Sequence, residues 1–194
     1  MARDRASRPE AKPLRLFVAF DIPSDVRDRL SDATAALKEK VGGRWTPPEN
    51  WHLTLKFLGS TYPRLVEWVK ESCRVVSAAH APFATSLEGV GAFPNDRRAR
   101  ILWAGLSDPD GRAKGMARAL DDALAREFPP EKRAFTPHLT LARFQPPAAV
   151  GDALGAADVR SRAFEVDRIV LYRSHLQRPA PRYEPLEGFP LQGD

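Results

Sequence analysis

Two short stretches of this chain alternate in the same way. In His52-Leu53-Thr54-Leu55-Lys56-Phe57 an extended backbone places His52, Thr54 and Lys56 on one face and Leu53, Leu55 and Phe57 on the other. His138-Leu139-Thr140-Leu141 repeats the first four letters with the same division. Each stretch predicts a strand anchored by its leucines, with an imidazole and a hydroxyl side by side on the free face. A lone His-x-Thr alternation is common in half-buried strands and would mean little. The repetition changes that.

The context repeats too. Arg15 to Pro23 reads as a strand running into a turn, and so does Arg100 to Pro109; Leu16 precedes His52 by 36 positions and Ile101 precedes His138 by 37. Between each pair lies an amphipathic helix, which points to an internal duplication. In the first copy the helix starts at Ser24 or Asp25 and carries Val26, Leu30, Ala33, Leu37 and Val41 at helical spacing, until Gly42-Gly43 stops it. Residues 44–50, with Pro47-Pro48, form an extended lead-in to the His52 strand, which closes at Gly59. A second helix spans 63–79, burying Leu65, Val66, Trp68, Val69, Cys73 and Val76. Strands at 83–93 and 99–106 pair as a hairpin across the polar turn 94–98. A third helix, 111–128, ends at Pro129-Pro130, and residues 133–137 lead into the second motif strand. Residues 145–162 read as a connection with at most a short helix, followed by strands at 164–174 and 182–191.

Strands joined by both hairpins and helical crossovers define an α+β class. The expected architecture is a bilobal, pseudo-twofold duplication with two largely antiparallel sheets facing a central cleft and the helices outside. His52 and His138 then stand on opposite walls of that cleft. Residues 1–13, basic and without an apolar run, read as a disordered leader, and 14–194 as a single bilobal domain.

Composition adds constraints. The net charge of +5 falls to +3 without the leader, whose 13 residues hold four basic and two acidic side chains. That excess suits an anionic ligand but does not demand a long duplex. No apolar run approaches a membrane span, and the single cysteine, Cys73, excludes an intrachain disulfide, both in keeping with a cytoplasmic protein. Cys73 falls at a helix-core position. His80, at a helix end, and His175, in a loop, read as surface residues.

An imidazole titrates near pH 6.5, so one histidine can accept a proton while another donates one. Phosphoryl transfer uses such a pair on opposite sides of phosphorus, because nucleophile and leaving oxygen lie in line. Thr54 and Thr140 are placed to donate hydrogen bonds to non-bridging phosphate oxygens. No third ligand sits at a fixed short offset from either motif, so no metal is expected, and no Gly-x-Ser-x-Gly elbow points to a serine hydrolase.

The paired motifs, with Arg15-Leu16-Phe17-Val18-Ala19, Arg44-Trp45-Thr46-Pro47-Pro48-Glu49-Asn50 and the run from Phe164 to Ser174, resemble the two-histidine phosphoesterase superfamily. Within it the sequence is similar to the bacterial and archaeal RNA 2′,3′-cyclic phosphodiesterases, also called 2′-5′ RNA ligases, from about Leu14 to Leu191. The resemblance implies metal-independent, cofactor-free opening of a terminal 2′,3′-cyclic phosphate to a 2′-phosphate, acting on RNA 3′ ends or small nucleotides, with reversible ligation possible. It assigns His52 as proton donor and His138 as acceptor, Arg143 as a phosphate ligand and Phe20 as a stacking platform for the terminal base. Strict alternation from His138 puts Arg143 on the leucine face, so a bulge or strand end must precede it. The chain is expected to be monomeric and to bind no membrane. Competing readings are an ADP-ribose cyclic phosphate phosphodiesterase and a noncatalytic RNA-end binding module.

Overall fold

The computed structural model describes residues 12–193. Residues 1–11, where most of the expected leader falls, lie outside the described residues. Strand β1 (Leu14–Asp21) leads to helix α1 (Ser24–Val41), the two-residue strand β2 (Arg44–Trp45) and the first motif strand, β3 (His52–Thr61). Helix α2 (Val66–Ala78) and strands β4 (Phe83–Thr85), β5 (Leu87–Phe93) and β6 (Ala99–Leu106) follow. Helix α3 (Arg112–Leu124) then precedes the second motif strand, β7 (His138–Ala148). A short helix α4 (Gly151–Gly155) and strands β8 (Phe164–Val166), β9 (Arg168–His175) and β10 (Arg182–Pro190) complete the order.

The helices form for the reasons their spacing suggests, with one substitution in α1. Its buried positions are Val26, Leu30, Thr34 and Leu37, so Thr34 occupies the place expected for Ala33. The Thr34 hydroxyl is satisfied by donating to the Leu30 carbonyl at 2.8 Å, which makes its burial tolerable. Gly42 ends the helix at φ 58, a conformation open to glycine at little cost. In α2, Cys73 is fully buried, and burial pushes its thiol up to about 12, so it is no nucleophile.

Two four-stranded sheets form, in the orders β10-β9-β1-β3 and β2-β7-β6-β5, and every pairing among the described strands is antiparallel. The duplication is visible as β1 beside β3 and β6 beside β7. The repeats exchange strands, however. The chain after the first motif supplies β5 to the sheet of the second, and the chain after the second motif supplies β9 and β10 to the sheet of the first. The expected strands 83–93 and 164–174 are each broken in two by this exchange: β4 and β8 pair with one another as a separate ribbon, while β5 and β9 continue into opposite sheets. Strand β7 also runs farther than expected, to Ala148, where it pairs with Ala99.

Leu53, Leu139 and Leu141 are fully buried and Leu55 is 4% exposed. All four belong to one contiguous core that includes Leu16, Val18 and Phe20 of β1 and Leu102 and Ala104 of β6. Burying each leucine contributes about 1.5–3 kcal/mol, and a slip of one residue would turn them outward and the histidines inward. Thus the leucines hold the register that presents His52 and His138.

Candidate active site

Both motif strands carry the same irregularity. Along β3, Ala19 pairs with Thr54 but Val18 pairs with Lys56, so Leu55 is an extra residue; along β7, Trp103 pairs with Thr140 but Leu102 pairs with Ala142, so Leu141 is extra. Beyond each bulge the alternation is inverted. Leu55 and Lys56 are therefore both buried, as are Leu141 and Ala142, and the next residues, Phe57 and Arg143, turn out toward the cleft. The bulge that Arg143 requires is present. It also overturns the placement of Lys56 on the histidine face, since this side chain is 2% exposed and paired with Asp121. Phe57, expected among the leucines, is instead 43% exposed beneath the guanidinium of Arg15, 4.5 Å from its ring centre.

The cleft has a volume of about 330 Å³ and is lined by His52, Thr54, Thr140 and Arg143 together with Arg15, Phe17, Arg44 and Tyr183. His138 stands two residues from Thr140 on the same face of β7, packed edge-on against Phe93 with ring centres 5.1 Å apart. Among the described residues, three arginines and no carboxylate line the cleft. Neither Arg44 nor Arg143 makes an ion pair with a described residue, and these two sit opposite each other across β2 and β7. The hydroxyls of Thr54 and Thr140 likewise have no hydrogen bond to described residues. The site thus offers unspent cationic and hydroxyl donors, as an anion requires.

Each imidazole is held in the same way. His52 Nδ1 donates to the Asn50 carbonyl at 2.8 Å, and His138 Nδ1 donates to the Thr136 carbonyl at 2.7 Å. A carbonyl only accepts, so Nδ1 carries the hydrogen and Nε2 is left as the reactive nitrogen. His52 is enclosed by Phe17, with ring centres 4.7 Å apart, and by Tyr183 at 5.0 Å. Burial is the main reason its pKa falls to about 4; the Asn50 carbonyl and Asp21 oppose that, while Arg143 and His138 add to it. Burial also lowers His138, followed in the same direction by Arg143 and opposed by the Thr136 carbonyl. Asp21 pairs with His52 across the strands and accepts a hydrogen bond from Tyr172, whereas the residue opposite His138 is Gly105. Only the first histidine has a carboxylate behind it.

Phe20 is not in the cleft. It is 1% exposed and packs edge-on against Phe83, because the alternation of β1 places it with Leu16 and Val18. The cleft-facing aromatic of that strand is Phe17, which also stacks on Tyr172 at 5.2 Å. That alternation was readable, and starting from Leu16 it selects Arg15 and Phe17. Arg44 and Tyr183 carried no comparable signal, since a two-residue strand and a terminal hairpin have no long pattern. Alanine at Phe20 is expected to cost about 3–5 kcal/mol of stability as a core truncation. Phe17 lines the cleft yet is only 3% exposed and packs on His52, Tyr172 and Tyr183, so leucine there should lower the thermal midpoint modestly and also raise KM. The Phe20 variant should instead lose stability with KM held, so thermal melts and steady-state kinetics on the two variants separate the roles.

Neither His80 nor His175 lines the cleft, although Ser174 and Leu176 on either side of His175 do: His80 bonds the Val76 carbonyl at 2.7 Å, and His175 contacts Glu184 at 2.6 Å. Among the described residues no three His, Cys, Asp or Glu side chains gather where they could hold a metal ion. Nor is any described helix long and apolar enough to cross a membrane.

The model of the LigT-like phosphoesterase family matches residues 20–103 and 106–183 of this sequence. The chain belongs to that family. Its similarity extends to an RNA 2′,3′-cyclic phosphodiesterase of Methanothermobacter thermautotrophicus, 31% identical over 184 residues, covering 92% of this chain and 99% of the relative. An RNA 2′,3′-cyclic phosphodiesterase of Geobacillus stearothermophilus is 31% identical over 188 residues, 91% of this chain, but this chain spans only 57% of that relative. Among solved structures, TT0787 of Thermus thermophilus aligns with a TM-score of 0.79 at 28% identity, covering 93% of this chain and all of that one. Escherichia coli LigT complexed with 3′-AMP aligns with a TM-score of 0.74 at 25% identity, over 92% and 98% of the two chains. This LigT-like chain therefore shares its fold with a protein that binds a 3′-nucleotide.

Proposed function

We propose that this LigT-like phosphoesterase opens the 2′,3′-cyclic phosphate at an RNA 3′ end, leaving a 2′-phosphate and a free 3′-hydroxyl. The observation that carries the reading is the pair of histidines, each with Nδ1 held by a backbone carbonyl and Nε2 left free, beside an arginine-lined cleft. His52 Nε2–H protonates the departing O3′ as the P–O3′ bond breaks. His138 Nε2 takes a proton from water as the new P–O bond forms on the opposite side of phosphorus. At the end of the step His138 is charged and His52 neutral, and exchange with solvent resets both. Thr54, Thr140 and Arg143 donate to the non-bridging oxygens, and Phe17 with Tyr183 offers an aromatic wall to the terminal nucleoside.

The asymmetry around the histidines supports this division of labour. Asp21 favours the charged form of His52, and the low pKa of that imidazole makes its cation the stronger acid. In the free protein burial favours the neutral form of both imidazoles, and the bound phosphate anion offsets Arg143 and draws a proton onto the pair. The test is end-group analysis: an oligoribonucleotide ending in a 2′,3′-cyclic phosphate, incubated with pure protein and EDTA, should yield only the 2′-phosphate. A 3′-phosphate product, or activity lost to EDTA and restored by a divalent ion, contradicts the two-imidazole reaction. Faster opening of an ADP-ribose cyclic phosphate than of any RNA end would move the substrate to that class.

The pH dependence follows from the same shifts. kcat/KM reports the free enzyme, whose active form carries one proton on the histidine pair. The singly protonated pair predominates between the two pKa values, which both lie below 6.5 with His52 at about 4, and the productive species is the fraction of it that carries the proton on His52. The kcat/KM optimum is therefore expected on the acid side of pH 6.5, falling as pH rises through the higher of the two values. The kcat profile should lie to its alkaline side, because bound phosphate stabilises the imidazolium. A kcat/KM optimum above pH 7 would contradict the burial argument.

A further inference from the structure

The two motif strands match in bulge and burial but differ at the second residue of each bulge, where β3 has Lys56 and β7 has Ala142. Lys56 is among the most deeply buried side chains of the protein. Its ammonium pairs with Asp121 of α3 and donates to the Pro129 carbonyl at 2.8 Å. The other carboxylate oxygen of Asp121 accepts from the Glu131 backbone N–H at 2.9 Å. One ion pair thus grips the chain at Pro129 and Glu131, on the irregular segment that runs from α3 toward His138.

What that segment delivers is the carbonyl that orients an imidazole. Thr136 holds His138 Nδ1 at 2.7 Å. The equivalent carbonyl for His52, that of Asn50, sits in its own 3₁₀ turn, closed by Asn50 N–H to the Pro47 carbonyl at 2.9 Å and Trp51 N–H to the Pro48 carbonyl at 3.1 Å. Residues 132–137 have no such turn. Among the described residues their one backbone hydrogen bond outside the strand ladders is from Leu106 N–H to the Pro137 carbonyl at 3.1 Å. The first histidine is supported by a local turn, whereas the approach to the second is held at its ends, by the Lys56–Asp121 pair at 129–131 and by Phe135 against the core with the Leu106 N–H on Pro137.

We propose that the buried Lys56–Asp121 pair is a strut from the first motif strand that sets His138 in place, which makes Lys56 a positioning residue for the second imidazole. The inference rests on the proposed two-histidine reaction for its kinetic consequence, but not for its geometry. The strut ties the strand of one histidine to the approach of the other, so the separation of the two reacting nitrogens is set by a contact outside the cleft. Small misplacements of this kind cost on the order of 10²-fold in rate.

Lys56→Met alone leaves Asp121, whose side chain is 18% exposed, without its counter-charge and is expected to destabilise the protein. The decisive variant is Lys56→Met/Asp121→Leu, because replacing a buried ion pair by apolar side chains of similar size is often neutral for stability. With a thermal midpoint near wild type, this variant should lose roughly 10- to 100-fold in kcat. KM should hold, because the arginines and threonines of the cleft are untouched. Imidazole nitrogen resonances supply a readout that needs no substrate: His138 should lose its single Nδ1–H tautomer while His52 keeps its own. Wild-type kcat with an undisturbed His138 overturns the strut, and so does equal disturbance of both histidines, which would mean general loosening. If the wild-type protein is inert toward cyclic phosphates yet the His138 resonances change as stated, the proposed function fails and the strut stands.

Discussion

Alanine at His52 or at His138 should each lower turnover of a 2′,3′-cyclic phosphate by roughly 10²- to 10⁴-fold, the range contributed by a positioned acid or base. The double variant should be little worse than either single one. The two imidazoles act in one transition state, so removing the second after the first has gone forfeits little more. The same variants test ligation. If a 5′-hydroxyl occupies the place of water, it attacks the cyclic phosphate by the reaction described for hydrolysis and leaves a 2′-5′ linkage, with no nucleotide cofactor because the strained ester supplies the driving force. Reversal of that step exchanges the roles of the two histidines. Hydrolysis and ligation should therefore fail together in each variant, measured on one oligonucleotide pair by gel and end-group analysis. A variant that retains one reaction at the wild-type rate would assign the two to different groups. Thermal melts are the control, because both side chains lie on the cleft face and their removal leaves the leucine anchors intact.

Arg143→Ala should cost about 10²- to 10³-fold in kcat/KM, the scale for losing one donor to a developing oxyanion. The expectation rests on position. Arg143 lines the cleft with His52 and both threonines, and it makes no ion pair with a described residue that would divert its charge. It also depresses both imidazoles, so its removal should raise both pKa values and move the kcat/KM optimum toward neutrality. A fall in rate with an alkaline displacement of the profile is the signature to look for. Arg143→Lys should recover part of the rate, because an ammonium keeps the charge but not the planar fork of donors. An alanine variant with wild-type turnover and an unmoved pH profile would show that this guanidinium meets neither phosphate nor histidine.

Some of this site was legible in the letters alone. His52 and Thr54, and His138 and Thr140, share a face because side chains alternate along any strand, and the leucines between them could only turn inward. The duplication was readable for a similar reason: strand, amphipathic helix and motif strand each depend on a local period, and local periods survive in sequence. What lay beyond reach depended on the register between strands. Nothing in Leu141-Ala142-Arg143 announces a bulge, since the extra residue exists only relative to Trp103 and Leu102 on the neighbouring strand. The same inversion took Lys56 off the histidine face and into a pair with Asp121, 65 residues away in sequence. Phe20 is a different case, for the alternation of β1 already placed it with Leu16 and Val18, and only the resemblance to other proteins moved it to the cleft. Local periodicity thus determined which side chains each element could offer, whereas the exchange of strands and the paired bulges, both products of long-range hydrogen bonding, decided which of them meet.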